Sequence, residues 1–355
     1  STAIAAAPPQ TEAMLVRLES LRAAPSEFAP FVVDEDADTR ARTATSLGRL
    51  KDGRGIDALT GLLADPNVAV RESAAHAMGQ IPGTRRALTA RFNKESNSDV
   101  RVAILQALGM QGNAWDIDML LEVIEQPVTT QDAVDEIGAG ANAIGQMAIR
   151  GIDTVRINRV VLTLAQQAEA LDPAIRFNVA FALARIAPTN IPNNIKTLLM
   201  HAAEHEHETA IKALFIRAVA NLPESQNILR SSIKHPSPAV RIATARASVS
   251  AQWDGVTDLL DDPSPSVSIA AIEAVGRMPS LNRIELLGPI VKRGMDLRGP
   301  EKDGQRIHPD MAKAIAALNA LDIPKAWWET DTARYTRVQA GLLPSLSMYM
   351  SEDRD

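Results

Sequence analysis

The sequence predicts an all-α solenoid of about nine stacked helix pairs, on three observations. A short pattern of apolar and small residues recurs nine times. Each copy is followed by a second apolar stripe of helical period, and no strand pattern is visible. Aromatic residues are only 3% of the 355 while apolar residues are 46%, so burial must come mainly from Ala, Leu, Ile and Val in thin layers of closely packed helices.

The recurring pattern is clearest in Arg40-Ala-Arg-Thr-Ala44-Thr-Ser46-Leu47-Gly48, Arg71-Glu-Ser-Ala-Ala75-His-Ala77-Met78-Gly79 and Arg101-Val-Ala-Ile-Leu105-Gln-Ala107-Leu108-Gly109. Six more copies are anchored at Ile137, Arg176, Lys212, Arg241, Ser268 and Met311. Four residues beyond the anchor every copy is apolar, and six residues beyond it every copy but the first has Ala. Seven beyond, Ser248 alone is not apolar; eight beyond, Gly48, Gly79, Gly109, Gly145 and Gly276 are glycine. Offsets of four, seven and eight share one helical face. The small residues at six and eight predict close approach of a neighbouring helix. Ala77, Ala107, Ala182, Ala218, Ala247 and Ala274 are therefore expected in tight sites between helices.

The second stripes include Ile56 to Leu63, Ile117 to Ile124 and Ile195 to Leu199. Turn signals part the units at Asp65-Pro66-Asn67, Asp172-Pro173, Pro236-Ser237-Pro238 and Asp262-Pro263-Ser264-Pro265, where Pro stops one helix and Asp, Asn or Ser caps the next. A single helix pair cannot bury its apolar face, so the pairs must stack. The expected organisation is a flexible tether at 1–12, the solenoid at 13–323 and a C-terminal cap or docking tail at 324–355. Two interruptions stand out: a lengthened turn at Glu125–Asp135 and a polar, Gly-rich insertion at Gly294–His308.

The full unit reads Asp-Pro-x-x-x-Val-Arg-x-x-Ala-Ala-x-Ala-Leu-Gly followed by a Leu-rich helix, and Asp65 to Gly79 shows it almost whole. It resembles the short bacterial HEAT repeats of the phycobilisome-lyase type, over roughly residues 34 to 323. The resemblance implies an adaptor or scaffold surface with protein partners, sometimes within envelope or redox assemblies. Repeat-built enzymes fit less well. Deoxyhypusine hydroxylases repeat His-Glu pairs in both halves of the array, whereas His205-Glu206 and His207-Glu208 occur in one place only. Alkylpurine DNA glycosylases use a basic, aromatic-bearing face, which the net charge of −6 argues against. Repeat similarity alone does not carry over the activity of bilin lyases, and no segment reads as the cyclophilin barrel sometimes fused to such arrays.

Composition narrows function further. With no cysteine, this chain forms no disulfide, thiolate metal site or cysteine nucleophile. No run of about 18 apolar residues is present to span a membrane. The opening Ser1-Thr-Ala-Ile-Ala-Ala-Ala-Pro-Pro-Gln10 suggests a tether left by a signal peptide or lipid anchor, and so a periplasmic or otherwise exported protein; a cytoplasmic one is the alternative. No hydrolase elbow, phosphate loop or catalytic triad is found, so neither catalytic residues nor cofactors are assigned.

The His201–Glu208 run is the one cluster of metal-capable side chains, but it lacks a third or fourth ligand of defined geometry, and no metal site is assigned. Gly138-Ala-Gly140-Ala-Asn-Ala-Ile-Gly145 lacks the preceding strand of a dinucleotide loop, and its last glycine falls on the packing register. The candidate partner-binding residues are aromatic. Trp115 and Trp253 stand before second helices, and Trp327, Trp328, Tyr335 and Tyr349 place four of twelve aromatics in the last 29 residues. The resulting expectation is a noncatalytic scaffold or adaptor with an unidentified protein partner and no nucleic acid. The alternatives are an accessory subunit of an enzyme or electron-transfer complex and, behind it, a bilin-lyase-like enzyme.

Overall fold

The computed structural model describes residues 7–151, 156–295 and 309–322. Among them are eighteen α-helices, four short 3-10 runs and no strand. The chain divides into two compact units, 1–202 and 203–355, described separately here.

Unit 1 opens with α1 (Pro9–Ser20), a 3-10 turn (Pro25–Phe28) and α2 (Ala29–Val32). Helix pairs follow: α3 (Ala37–Leu50) with α4 (Ile56–Leu62), α5 (Val68–Gly79) with α6 (Arg85–Phe92), and α7 (Ser98–Gln111) with α8 (Ile117–Ile124). The next are α9 (Gln131–Ile149) with α10 (Ile157–Gln166), and α11 (Pro173–Ile186) with α12 (Asn193–His205), the last helix running just past the division. In unit 2, α13 (Thr209–Val219) pairs with α14 (Ser225–Ser232), α15 (Pro238–Ala251) with a 3-10 run (Asp254–Leu259), and α16 (Pro265–Gly276) with α17 (Arg283–Met295). A last first helix, α18 (Pro309–Ala320), follows.

All nine anchors fall in first helices, from Arg40 in α3 to Met311 in α18. The fold is thus an all-α solenoid of stacked helix pairs. In unit 1 the Asp and Asn turn residues cap the first helices, whereas Ser237 and Ser264, expected as caps, stand at the starts of α15 and α16 with no side-chain cap bond. Asp36 Oδ2 accepts the Thr39 amide at 3.0 Å, Asn67 Oδ1 that of Ala69 at 2.9 Å, Asn97 Oδ1 that of Val100 at 3.1 Å and Asp172 Oδ1 that of Ala174 at 2.7 Å.

The core is a seam between successive first helices. Within unit 1, α3 packs on α5, α5 on α7, α7 on α9 and α9 on α11; within unit 2, α13 packs on α15, α15 on α16 and α16 on α18. The six alanines expected in tight sites are all buried. In unit 1 the glycine eight residues past one anchor meets the alanine six past the next, whereas Gly276 of unit 2 meets Ala320, nine past Met311. A Cβ added at Gly48 would stand 2.8 Å from Ala77 Cα; at Gly79, 3.0 Å from Ala107 Cα; at Gly109, 3.0 Å from Ala143 Cα; at Gly145, 3.0 Å from Ala182 Cα. The glycine run of α9 is therefore a packing surface within one helix.

Several details depart from the sequence reading. α1 begins at Pro9, inside the stretch expected as a tether, because Leu15 is buried and Arg42 of α3 holds Glu12 at 2.9 Å and Glu19 at 2.5 Å. The lengthened turn ends sooner than expected, since Thr130 Oγ1 accepts the Ala133 amide at 3.2 Å and starts α9 at Gln131. The second element of the seventh repeat is a 3-10 run (Asp254–Leu259), with only Asp254 to Asp261 between Trp253 and the Asp262-Pro263 turn. The Gly294–His308 insertion lies outside the described residues beyond Met295, as does the tail at 324–355.

Candidate protein-binding surface

The anchor residues organise the edge at which one repeat turns into the next. Seven of the nine reach the carbonyl six residues upstream: Arg40 to Asp34 at 2.7 Å, Arg71 to Asp65 at 2.9 Å, Arg101 to Glu95 at 3.4 Å and Arg176 to Ala170 at 2.9 Å. Lys212 reaches Glu206 at 3.3 Å, Arg241 reaches His235 at 2.7 Å and Ser268 Oγ reaches Asp262 at 3.0 Å. These carbonyls follow the end of the preceding pair and have no amide partner from a continuing helix, so a donor from the next first helix satisfies them.

Three anchors also reach forward to a carboxylate of the following turn. Arg40 pairs with Asp65 at 2.7 and 2.9 Å, Arg71 with Glu95 at 2.9 and 3.1 Å, and Arg241 with Asp262 at 2.7 and 2.9 Å. The two-pronged geometry suits a guanidinium. Burial alone would raise the Glu95 carboxyl, but hydrogen bonds from Arg71, the Asn97 amide and Arg91 outweigh it and lower the group from 4.5 to about 2. Asp65 and Asp262 are lowered likewise, against the effect of burial, by Arg40 and Arg241 and by the amides of Asn67 and Ser264. In the sequence the arginines mark the repeats and the Asp-Pro pairs mark turns, with nothing to connect the two. The separations differ, 25 residues from Arg40 to Asp65, 24 from Arg71 to Glu95 and 21 from Arg241 to Asp262, so spacing alone does not join them.

Trp115 lies on the opposite edge, in the turn between α7 and α8, and is 82% exposed. That turn is clamped from several sides. Asp116, buried beside it, accepts from Arg85 at 2.9 Å, from Thr89 at 3.1 Å and, through its other oxygen, from the Asn113 amide at 2.9 Å. Asn113 Oδ1 in turn accepts the Trp115 amide at 3.0 Å. Arg150, at the end of α9, donates to Gly112 O at 2.8 Å and also to Gly109 O. The indole therefore projects from a backbone fixed by second, third and fourth repeats together. Trp115 was legible in the sequence; its clamp was not, because Arg85 and Asp116 are 31 residues apart.

Trp253 requires correction. It is 5% exposed, and its ring lies where a Cβ at Gly255 would stand only 2.2 Å away, so it packs against its own turn and offers no free face. The following glycine was the sequence signal for that packing. Trp327, Trp328, Tyr335 and Tyr349 lie outside the described residues.

The histidine cluster is drawn into local bonds. His201 Nδ1 contacts Glu169, and the buried Glu206 accepts the amides of His207 at 2.9 Å and Glu208 at 2.8 Å, shaping the turn into α13. Among the described residues no group of three or more His, Cys, Asp or Glu is placed to hold a metal ion. Among them too, no helix is long and apolar enough to cross a membrane.

Comparisons with known proteins agree with this geometry. A family model described as HEAT repeats matches residues 27–109, the first two repeats and the start helix of the third. No curated protein sequence matches the chain. Among solved structures, an engineered protein is 16% identical with a TM-score of 0.52, covering 90% of this chain and 92% of its own. That similarity concerns the fold alone. The Escherichia coli protein YibA is 14% identical over 90% of this chain and 98% of its own, with a TM-score of 0.46, and nothing is drawn from it. The chain is a HEAT-like repeat protein. None of these similarities reaches the phycobilisome-lyase subtype.

Proposed function

We propose that the protein is a noncatalytic scaffold that binds another protein along the turn edge of its first unit, with Trp115 as an anchor. HEAT repeats generally serve as protein-interaction scaffolds. The observation that carries the site is a large aromatic ring 82% exposed on a turn held by the half-buried Arg85 on the buried Asp116. A monomer has no packing reason to keep so large a ring in water, whereas Trp side chains are prominent among interface residues that dominate binding. Because the turn is already ordered, docking on it loses little conformational entropy.

The test is co-purification of the full chain from its native source, comparing the parent with Trp115→Ala. Loss of the partner, with an affinity drop of about thirtyfold or more and an unchanged melting temperature, is expected. A variant that retains its partner in full would sink the assignment.

A further inference from the structure

A cavity of about 300 Å³ opens in unit 1, where the ends of α9 and α11 meet the starts of α8 and α10. Its wall is aliphatic, formed by Ile117, Ile144, Met147, Ile157, Val160 and Ile186, and Arg156 and Arg185 stand at it as the charged groups. The two arginines differ. Arg156 contacts Asp118, which also pairs with Arg159 at 3.1 Å. Arg185 is exposed, lies over the Phe181 ring at 4.9 Å and has no carboxylate partner among the described residues. Residues 152–155 lie outside the described residues, and no part of the site is placed on them.

We propose that this cavity binds a free medium-chain aliphatic carboxylate, with its alkyl chain among the isoleucines and its carboxylate on Arg185. The volume is at the lower end of the range of small-molecule sites, about 300–1,000 Å³, which suits a slim chain. An unpaired guanidinium beside an apolar wall complements one anionic oxygen pair and little else. A peptide fits worse, because its buried amides would need partners. The wall carries no polar side chain besides the two arginines, and the helix-end carbonyls of Met147 and Ala148 already accept the amides of Arg150 and Gly151 at 3.0 and 3.1 Å. This site goes beyond the protein-scaffold reading and does not depend on Trp115.

The test uses the full chain carrying ¹³C-labelled Ile and Met methyls, titrated with decanoate below its micelle concentration and, separately, with decanol. Saturable shifts centred on Ile117, Ile144, Met147, Ile157 and Ile186 are expected, with decanoate bound about tenfold more tightly than decanol, a difference of about 1.4 kcal/mol. Arg185→Gln should remove that preference and leave decanol binding unchanged. Ala148→Phe should fill the cavity and abolish both; should it fail to fold, the Arg185→Gln comparison still decides. Shifts that do not saturate, equal binding of the two probes, or decanoate binding indifferent to Arg185→Gln would overturn the proposal. So would tighter binding of acetyl-Leu-Leu than of decanoate, which would assign the cavity to a peptide terminus.

Discussion

Gly48 and Gly61 lie in the two helices of one repeat, yet a methyl group should act on them in opposite senses. Both would gain helix propensity as alanine, about 0.5–1 kcal/mol. At Gly61 the added Cβ meets nothing within 4 Å, so Gly61→Ala should stabilise by about that amount. At Gly48 it would stand 2.8 Å from the backbone of Ala77, and the two helices would have to separate. Overpacking of that kind typically costs about 1–3 kcal/mol, so Gly48→Ala should be less stable than the parent in urea denaturation. Equal midpoints for the two variants would mean that the seam between first helices tolerates separation. The same contrast explains why glycine recurs eight residues past the anchors but not throughout the second helices.

Two elements show how charge joins the repeats. The Arg71–Glu95 pair ties the first helix of the second repeat to the turn before the third. Glu95 has a carboxyl pKa lowered in the folded protein, so its contribution is complete above its ordinary 4.5 and is lost as pH falls toward about 2. Melting temperature should therefore decline through that acid window. Glu95→Gln should melt lower than the parent at neutral pH and lose less between about pH 5 and 2; parallel acid profiles would show that the pair contributes little. At the start of the array, α1 is held on α3 by Arg42, which joins both Glu12 and Glu19. Arg42→Ala should cost about 1–3 kcal/mol and speed amide exchange selectively within Pro9–Ser20. Uniform exchange rates along the chain would show that α1 is held by apolar contact alone.

At the scale of the whole molecule, a repeat array is stabilised largely by contacts between neighbours. Loss of a terminal element should therefore act as a lost neighbour rather than as general unfolding. The aromatic tail around Trp327, Trp328, Tyr335 and Tyr349 is the remaining candidate for a C-terminal cap or docking element. If the tail both caps the array and docks a partner, deleting residues 325–355 should lower the melting temperature and weaken association. Differential scanning calorimetry and co-purification read the two effects separately. A deletion that leaves both unchanged would show that the tail does neither.

The periodicity by itself determined the all-α class, the nine first helices and the seam of small residues, because helical burial repeats at intervals visible in the sequence. Residue type alone placed Trp115 among six aromatic candidates without separating it from Trp253. Tertiary structure decided what depends on residues distant in the chain. Trp253 and Trp115 look alike as Trp-Asp pairs preceding second elements, yet one ring folds onto Gly255 and the other stands in water. The clamp from Arg85 to Asp116, the arginine latches onto Asp65 and Asp262, and the placing of Arg185, with no carboxylate partner among the described residues, beside an aliphatic cavity arise where neighbouring repeats meet. A repeat pattern specifies which faces are buried; the side chains that face each other across adjacent repeats, and so which charges are paired and which left free, follow only from how the pairs stack.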